Sequence, residues 1–218
     1  MAWVEKYRPK NLIEFIGQEK VKRYVESVIN NGGEINHLIF YGYSGTGKTT
    51  MARIIANELG VELIEFNASD DRTLNFVREK IIPAMRYRSF TGKYKIIFLD
   101  ETDSMTKEAL FCLRRPMELY EKNAKIIFSC NDDSNIIDAI RSRCISFHFK
   151  PIPRDLIVQR LRLIAQREGV NVTNDILEEI AEKSRGDLRK AINLLEAYHR
   201  GALEFTGSEF ERMFGRLM

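Results

Sequence analysis

No apolar run in the sequence approaches the roughly 18 residues that a membrane-crossing helix needs, so no membrane partner is expected. The opening residues, MAWVEKYRPK, lack the layout of a secretory signal. Cysteine is scarce: Cys112, Cys130 and Cys144 are an odd number without metal-ligand spacing. That excludes a disulfide framework and points to a reducing interior. All three are expected to be small buried apolar residues rather than a reactive thiol. Internal repeats and low-complexity tracts are missing too. So is a strong charge of one sign, since the net charge is only +3.

What is present is ordinary in bulk and uneven in detail. An apolar content of 44% and a charged content of 30% are those of a soluble globular chain, and 218 residues suffice for one large or two small domains with a proper core. Between Arg72 and Lys95, however, seven cations (Arg72, Arg78, Lys80, Arg86, Arg88, Lys93, Lys95) face the single acid Glu79. That segment carries +6 and the remainder −3. Such a run is either a solvated helix face or an edge turned toward a polyanion, and the imbalance inside a near-neutral chain favours the second.

The chain is organised around HLIFYGYSGTGKTT, residues 37–50. A buried strand, Leu38 to Tyr41, runs into Gly42, four residues, then Gly47, Lys48 and Thr49, the P-loop spacing. Gly42, Gly45 and Gly47 allow successive N–H groups to turn inward around a phosphate, and the helix opening near Lys48 aims its positive end at the same place. Thr46 and Thr50 lie inside the same loop and first turn. Lys48 is expected to reach the β- and γ-phosphates of a nucleoside triphosphate, with the Thr49 hydroxyl ligating Mg²⁺.

Around it, the pattern reads as an extended leader to Gly17, a helix from about Gln18 to Asn30, then the strand, P-loop and helix already described. A second strand, Leu63 to Phe66, precedes a basic helix capped by Ser69-Asp70-Asp71 and disturbed at Pro83. Lys95 to Glu101 is a buried strand ending in two carboxylates. A helix from Thr106 to Glu121 contains Pro116, at a cost of roughly 3 kcal/mol unless it kinks. Strands from Ala124 to Cys130 and from Ile145 to Phe149 follow. Strands alternating with helices imply a parallel α/β sheet with ligands at the carboxyl ends of its strands. Pro151-Ile152-Pro153 is the clearest boundary. Beyond it three amphipathic helices form a small bundle, and a tail after Gly201 is expected to hold a short helix with Phe210, Met213 and Phe214.

The polar residues at strand ends carry the chemistry. Asp100 is suited to hold Mg²⁺ through water, and Glu101 to polarise the water that attacks the γ-phosphate. Asn131 ends the next strand and either orients that water or merely serves a turn. Arg143 precedes the last strand and faces either its own nucleotide or a neighbour's. Arg189, near the start of the third helix of the small domain, either bridges to the γ-phosphate or is a surface charge.

Several stretches together resemble the AAA+ clamp-loader family, in its replication factor C small-subunit type, archaeal or eukaryotic: WVEKYRPKNL, IGQ, GTGKTT, EFNASDDR, KIIFLDETDSMT, LRRPME, FSCND, IRSRC and GDLRKAIN. They run in family order from Trp3 to Leu195. The resemblance implies an α/β AAA+ P-loop ATPase domain at 1–150, a three-helix lid at 151–201, and a tail at 202–218 that begins an absent collar domain. It implies the Walker A pair at Lys48 and Thr49, Walker B at Asp100 and Glu101, sensor 1 at Asn131, an arginine finger for the adjacent subunit's ATP at Arg143, and sensor 2 at Arg189. Tyr7, Arg8, Ile16 and Gly17 match segments that pack around the adenine. The implied partners are a sliding clamp of the PCNA type, the phosphates of primer–template DNA, and the other subunits of a hetero-pentamer. The DNA-contact positions are Arg78, Lys80, Lys107 and Arg114. Met85, Tyr87 and Phe90 fall where the family meets the clamp, though aromatics among basic residues are often just packing. The setting would be the cytoplasm of an archaeon or a eukaryotic nucleus.

Four departures stand out. The P-loop reads Gly42-Tyr43-Ser44-Gly45 where prolines are usual, and Walker B has Thr102 where the family has alanine. Leu110, Phe111 and Pro116 replace glutamines and a threonine in the following helix, which puts DNA-to-ATP coupling through that helix in doubt. Without the collar, the chain is expected to be a fragment or to assemble weakly. Two other readings compete with an ATP-hydrolysing clamp-loader subunit. A nucleotide-gated scaffold with little hydrolysis is disfavoured by Glu101. Another AAA+ DNA-remodelling ATPase is disfavoured by the N-terminal and Ser-Arg-Cys stretches.

Overall fold

The computed structural model describes residues 1–203, so the short helix expected around Phe210, Met213 and Phe214 lies outside the described residues. Two compact units are present. One gathers Pro9–Gly42 and Gly47–Phe149; the other gathers Met1–Arg8, Tyr43–Thr46 and the chain from Lys150.

The first unit is a five-stranded, all-parallel sheet in the order β2-β3-β4-β1-β5. Its strands are β1 (His37–Gly42), β2 (Glu62–Asn67), β3 (Lys95–Asp100), β4 (Ala124–Cys130) and β5 (Cys144–Phe149). The three central strands are mostly apolar and buried, whereas the edge strands β2 and β5 are half-buried or exposed apart from Phe149. Period-two alternation divides each central strand between two cores. Leu38, Phe40, Ile96, Phe98 and Ile127 face one layer of helices, α2 (Glu19–Asn30) and α3 (Lys48–Leu59), through Val21, Val25, Met51, Ile54 and Ile55. Ile39, Ile97, Leu99, Ile126 and Phe128 face the other. That opposite layer is built from the helical stretch at 74–86 and from α6 (Lys107–Leu119), with the single turn α7 (Asp138–Arg141) beside them.

The stretch at 74–86 departs from the sequence reading. Its cap is Thr73, whose hydroxyl accepts from the Phe76 N–H, and not Ser69-Asp70-Asp71. Pro83 does not end it. A helical turn, α4 (Leu74–Phe76), widens into a π-helical turn, Val77–Ile81, and α5 (Ile82–Arg86) restarts with Pro83 in its first turn. The missing N–H is tolerated because the π-helical turn has already shifted the hydrogen-bond register just before Pro83. Pro116 likewise sits inside an uninterrupted α6, which Thr106 caps through the Ala109 N–H.

The second unit is helical. Its core consists of α8 (Arg154–Glu168), α9 (Asn174–Ser184) and α10 (Leu188–His199), joined by Leu161, Ile164, Leu177, Ile180, Ile192 and Leu195. The N-terminus is not wholly extended. Trp3 and Tyr7, four residues apart, share one side of a helical turn, α1 (Trp3–Lys6), that docks on α10. The Trp3 N–H donates to Glu196 Oε2 at 2.9 Å, the indole stacks on His199, and the Tyr7 hydroxyl donates to Glu168 Oε1 at 2.6 Å. The Leu188 N–H donates to the Gly45 carbonyl, which is why Tyr43–Thr46 belongs to this unit.

His37, at the start of β1, is buried with both ring nitrogens occupied: Nδ1 accepts from the Ile126 N–H at 2.9 Å, and Nε2 lies 3.3 Å from the Met117 carbonyl. Burial lowers its pKa to about 4. The unfolded imidazole titrates near 6.5, so between these values the unfolded chain binds more protons, and stability falls as pH drops through that window. We expect the chain to lose on the order of 2–3 kcal/mol of stability between pH 7 and 4 from this group. Urea denaturation across that range checks it. His37→Gln, which keeps a donor and an acceptor, should flatten the window, and parallel curves for the two proteins would contradict the assignment.

Candidate functional site

Because all five strands run the same way, their carboxyl ends (Gly42, Asn67, Asp100, Cys130 and Phe149) lie along one edge of the sheet. At Gly42 the chain takes φ +136°, and a Cβ there would strike the Phe149 carbonyl. At Gly47, φ is +104° and a Cβ would lie 2.6 Å from the Phe15 ring. Neither position tolerates a side chain. α3 starts immediately after, with Gly47 as its N-cap. Such a helix start, following a glycine-rich loop, suits an anion. Lys48 folds back so that Nζ donates to the Gly42 carbonyl at 2.6 Å, and Thr50 is buried behind it.

Opposite this loop, the Thr49 hydroxyl donates to Asp100 Oδ2 at 3.0 Å, joining the first turn of α3 to the end of β3. Asp100 Oδ1 accepts from the Glu101 N–H at 3.0 Å. Glu101 is exposed and left-handed, with φ 54°, a conformation that costs a non-glycine residue about 1–2 kcal/mol. Ser104 offsets it, donating to the Glu101 carbonyl from both its N–H and its hydroxyl. Thr102, of the Asp-Glu-Thr-Asp pattern, is fully buried and donates to the Ser129 carbonyl at 3.0 Å, which locks the end of β3 to β4. Ser129 itself keeps a buried hydroxyl without a hydrogen-bond partner. Its strand neighbours are Phe40 on β1 and, one step beyond the Leu99–Phe128 pair, Asp100 on β3.

A hydroxyl and a carboxylate in contact are hard oxygen donors of the sort that hold Mg²⁺ alongside phosphate and water, so the residues present fit that ion. Among the described residues no cluster of three or more His, Cys, Asp or Glu could cage a metal alone. Burial first, then the carboxylates of Asp103 and Asp133, push the Cys130 thiol up to about 12.

Of the other expected site residues, Asn131 is exposed beyond β4, its N–H and Nδ2 lying 3.4 and 3.5 Å from Asp103 Oδ2. Asp103 was not assigned a role from sequence, although the Asp-Glu-Thr-Asp pattern contains it. Arg143 is elsewhere. It immediately precedes Cys144, the first residue of β5 and the partner of His37, and so sits at the amino edge of the sheet. A strand of this length separates it from the carboxyl edge by on the order of 16 Å. Its guanidinium is engaged by Glu118 Oε1, 2.9 Å from Nε, and by the Ala139 carbonyl, 2.6 Å from Nη1. Of the two directions left open by the sequence, its own chain's P-loop is therefore out of reach. Ile16 is half-buried and Gly17 is buried with φ +72°, leading into a left-handed Gln18 at the entry to α2.

In the helical unit, Thr46 is buried and its hydroxyl donates to the Tyr43 carbonyl at 2.7 Å. Gly45 lies against Asp187, the N-cap of α10. Arg189 is exposed in the first turn of that helix. Tyr7 is buried with its phenol pushed up by burial and by the bond to Glu168, and Arg8 pairs with Glu5.

The basic run does not form one edge. Arg78 and Lys80 are exposed on the π-helical turn that packs against α6, where Lys107 and Arg114 are also exposed. Arg88, Lys93 and Lys95 lie past the end of α5, where the crossover reaches the amino end of β3, and Lys93 Nζ is bound to the Leu59 carbonyl at 3.0 Å. Met85 is core, fully buried, whereas Tyr87 and Phe90 are exposed. Of the cysteines only Cys130 is buried; Cys112 and Cys144 are half-buried against the core, which corrects the expectation for those two. Burial pushes the Cys144 thiol up to about 12, so it is no nucleophile.

Comparison with known proteins gives a consistent picture. The family model described as ATPase family associated with various cellular activities (AAA) matches residues 38–151, and that of the RCF1/5-like AAA+ ATPase lid domain matches residues 159–200. Replication factor C small subunit 1 of Pyrobaculum arsenaticum is 46% identical over 90% of this chain and 61% of its own length. Replication factor C small subunit 2 of Pyrobaculum islandicum is 41% identical over 99% of this chain and 69% of its own. The small subunit of Archaeoglobus fulgidus is 46% identical over 89% and 62%. The chain thus spans 61–69% of the length of these relatives. Among solved structures, the Thermotoga maritima RuvB Holliday junction branch migration motor superposes with a TM-score of 0.77 at 24% identity, over 97% of this chain and 73% of that one, a likeness of fold. A P-loop closing on Thr49 and Asp100 at the carboxyl edge of a parallel sheet, followed by a helical lid and matched by these relatives, means that the chain belongs to the AAA ATPase family and, within it, to the replication factor C small subunits.

Proposed function

We propose that the chain is an ATP-hydrolysing subunit of a clamp loader, which helps to open a sliding clamp and close it on primer–template DNA during replication. The observation that carries this reading is the corner formed by Lys48, Thr49, Asp100 and Glu101. The loop backbone from Gly42 to Gly47 and the start of α3 receive the phosphates, and Lys48 moves from the Gly42 carbonyl to the β- and γ-oxygens. Thr49 and Asp100 would hold Mg²⁺, which would supply charge neutralisation for the phosphates. Glu101, lifted from the sheet edge by its left-handed backbone, accepts the proton of the attacking water. Asn131, leaning on Asp103, orients that water.

Arg143 serves an adjacent subunit. Its support is the strand length that separates it from its own P-loop, together with the Ser-Arg-Cys motif. On leaving Glu118, the guanidinium meets the γ-phosphate across the interface, so turnover depends on assembly. For Tyr7, Arg8 and Arg189 the support is the resemblance of their motifs. Arg78, Lys80, Lys107 and Arg114 bind DNA phosphates without sequence preference. Tyr87 and Phe90, exposed at the end of the α5 crossover, are the side chains available to a clamp.

Glu101→Gln should keep ATP affinity and lose about 10²-fold or more of single-turnover hydrolysis; unchanged hydrolysis would remove Glu101 from the reaction. Arg143→Ala should leave nucleotide binding intact while losing most of the turnover of the assembled protein, and an equal loss of binding would sink the role in trans. Steady-state hydrolysis with primer–template DNA and a clamp should rise above that of the chain alone, and the DNA effect should fade as salt increases. Stimulation that ignores salt would argue against phosphate contacts.

A further inference from the structure

α6 is sharply two-sided. Ala109, Leu110, Leu113 and Met117 are fully buried against the sheet. On the other side Lys107, Phe111, Arg114 and Arg115 are exposed, together with two acids, Glu108 and Glu118, of which Glu118 is engaged by Arg143. Phe111 has 58% of its surface in water and lies beneath the Arg114 guanidinium, 5.9 Å from the ring centroid. A single exposed aromatic is ordinary. This one stands beside Lys107, Arg114 and Arg115, which outnumber Glu108 and Glu118, and next to a second helical element that adds Arg78 and Lys80 around Glu79.

Phosphates alone are met well enough by lysine and arginine, and a phenylalanine adds nothing to that contact. It adds a flat apolar face, and the combination of a positive track with an aromatic platform is the chemistry that holds single-stranded nucleic acid. A duplex hides its base faces, and inserting a ring between stacked pairs requires unstacking them. An unpaired base offers its face at no such cost.

We propose that Phe111 is a stacking platform for an unpaired base, so that the stripe of Lys107, Phe111, Arg114 and Arg115 binds single-stranded DNA as it leaves a duplex. This rests on the reading that α6 and the 74–86 helical stretch face DNA, and extends it from phosphates to bases. The departure at Phe111 then has a consequence: the helix holds the single strand instead of only following the backbone.

The test uses the full chain with a labelled oligothymidylate of about 20 nucleotides, an abasic strand of equal length and a duplex, all followed by fluorescence anisotropy at one low salt concentration. Phe111→Ala should weaken oligothymidylate binding about tenfold while leaving the abasic strand and the duplex within about twofold. Phe111→Trp should retain affinity and show indole quenching by oligothymidylate but not by the abasic strand. Loss of affinity for all three ligands alike, or for none, overturns stacking, as does an indole emission of the Phe111→Trp protein that oligothymidylate leaves unchanged. The joint change of Lys107→Ala and Arg114→Ala should weaken all three and lower the salt slope. If it moves none of them, the DNA-facing reading of the helix fails, a result separable from the failure of stacking. A thermal melt of each variant guards against misfolding, which an exposed position should not cause.

Discussion

The constraint on which the rest depends is the burial of β3, β4 and β1 on both faces. Strands enclosed in this way offer no side chain to solvent along their length, so polar chemistry is forced to their ends. Parallel direction then places all the carboxyl ends on one edge. There the Thr49 hydroxyl meets Asp100, and Thr102 ties β3 to β4 just beyond. The left-handed Glu101 is tolerated only because this corner is fixed from several sides: Asp100 takes its N–H, and Ser104 donates to its carbonyl. Glu101 thereby projects from a rigid support.

The same topology separates functions. Arg143 and the Glu118 that engages it lie at the amino edge, a strand's length from the P-loop. The basic run between Arg72 and Lys95 is likewise divided by the crossover from β2 to β3. Its early members share a surface with α6, while Lys93 is committed to the Leu59 carbonyl. A composition excess of +6 was real, but it describes two surfaces. The one beside α6 gains cations from outside the run.

Much of the fold was legible because it is written in short-range patterns. The apolar runs of β1, β3 and β4, the P-loop glycines and the three helices after Pro153 all show the period and punctuation of their elements. The misreadings have a common cause. Pro83 reads as a breaker only if hydrogen bonding stays α-helical, and a π-helical turn changes that register before it. Trp3 and Tyr7 look like leader residues until α10 supplies something to bury them. Met85 looks available among cations until the sheet covers it. Each depends on a neighbour remote in sequence.

By itself the sequence determined the residue types of the site and their order, since a phosphate cradle needs glycine and a helix start, and a hydrated cation needs hydroxyl and carboxylate. It also determined the family, through motifs spread from Trp3 to Leu195. Only the tertiary structure decided which of those residues meet. Thr49 and Asp100 are 51 residues apart and come into contact because β1 and β3 end on the same edge. Asp103 supports Asn131 because β3 and β4 are neighbours. Phe111 is exposed because the other side of α6 is consumed by the core. Spacing along a chain fixes local geometry, but contact between distant residues follows from strand order, which the burial of the whole sheet selects.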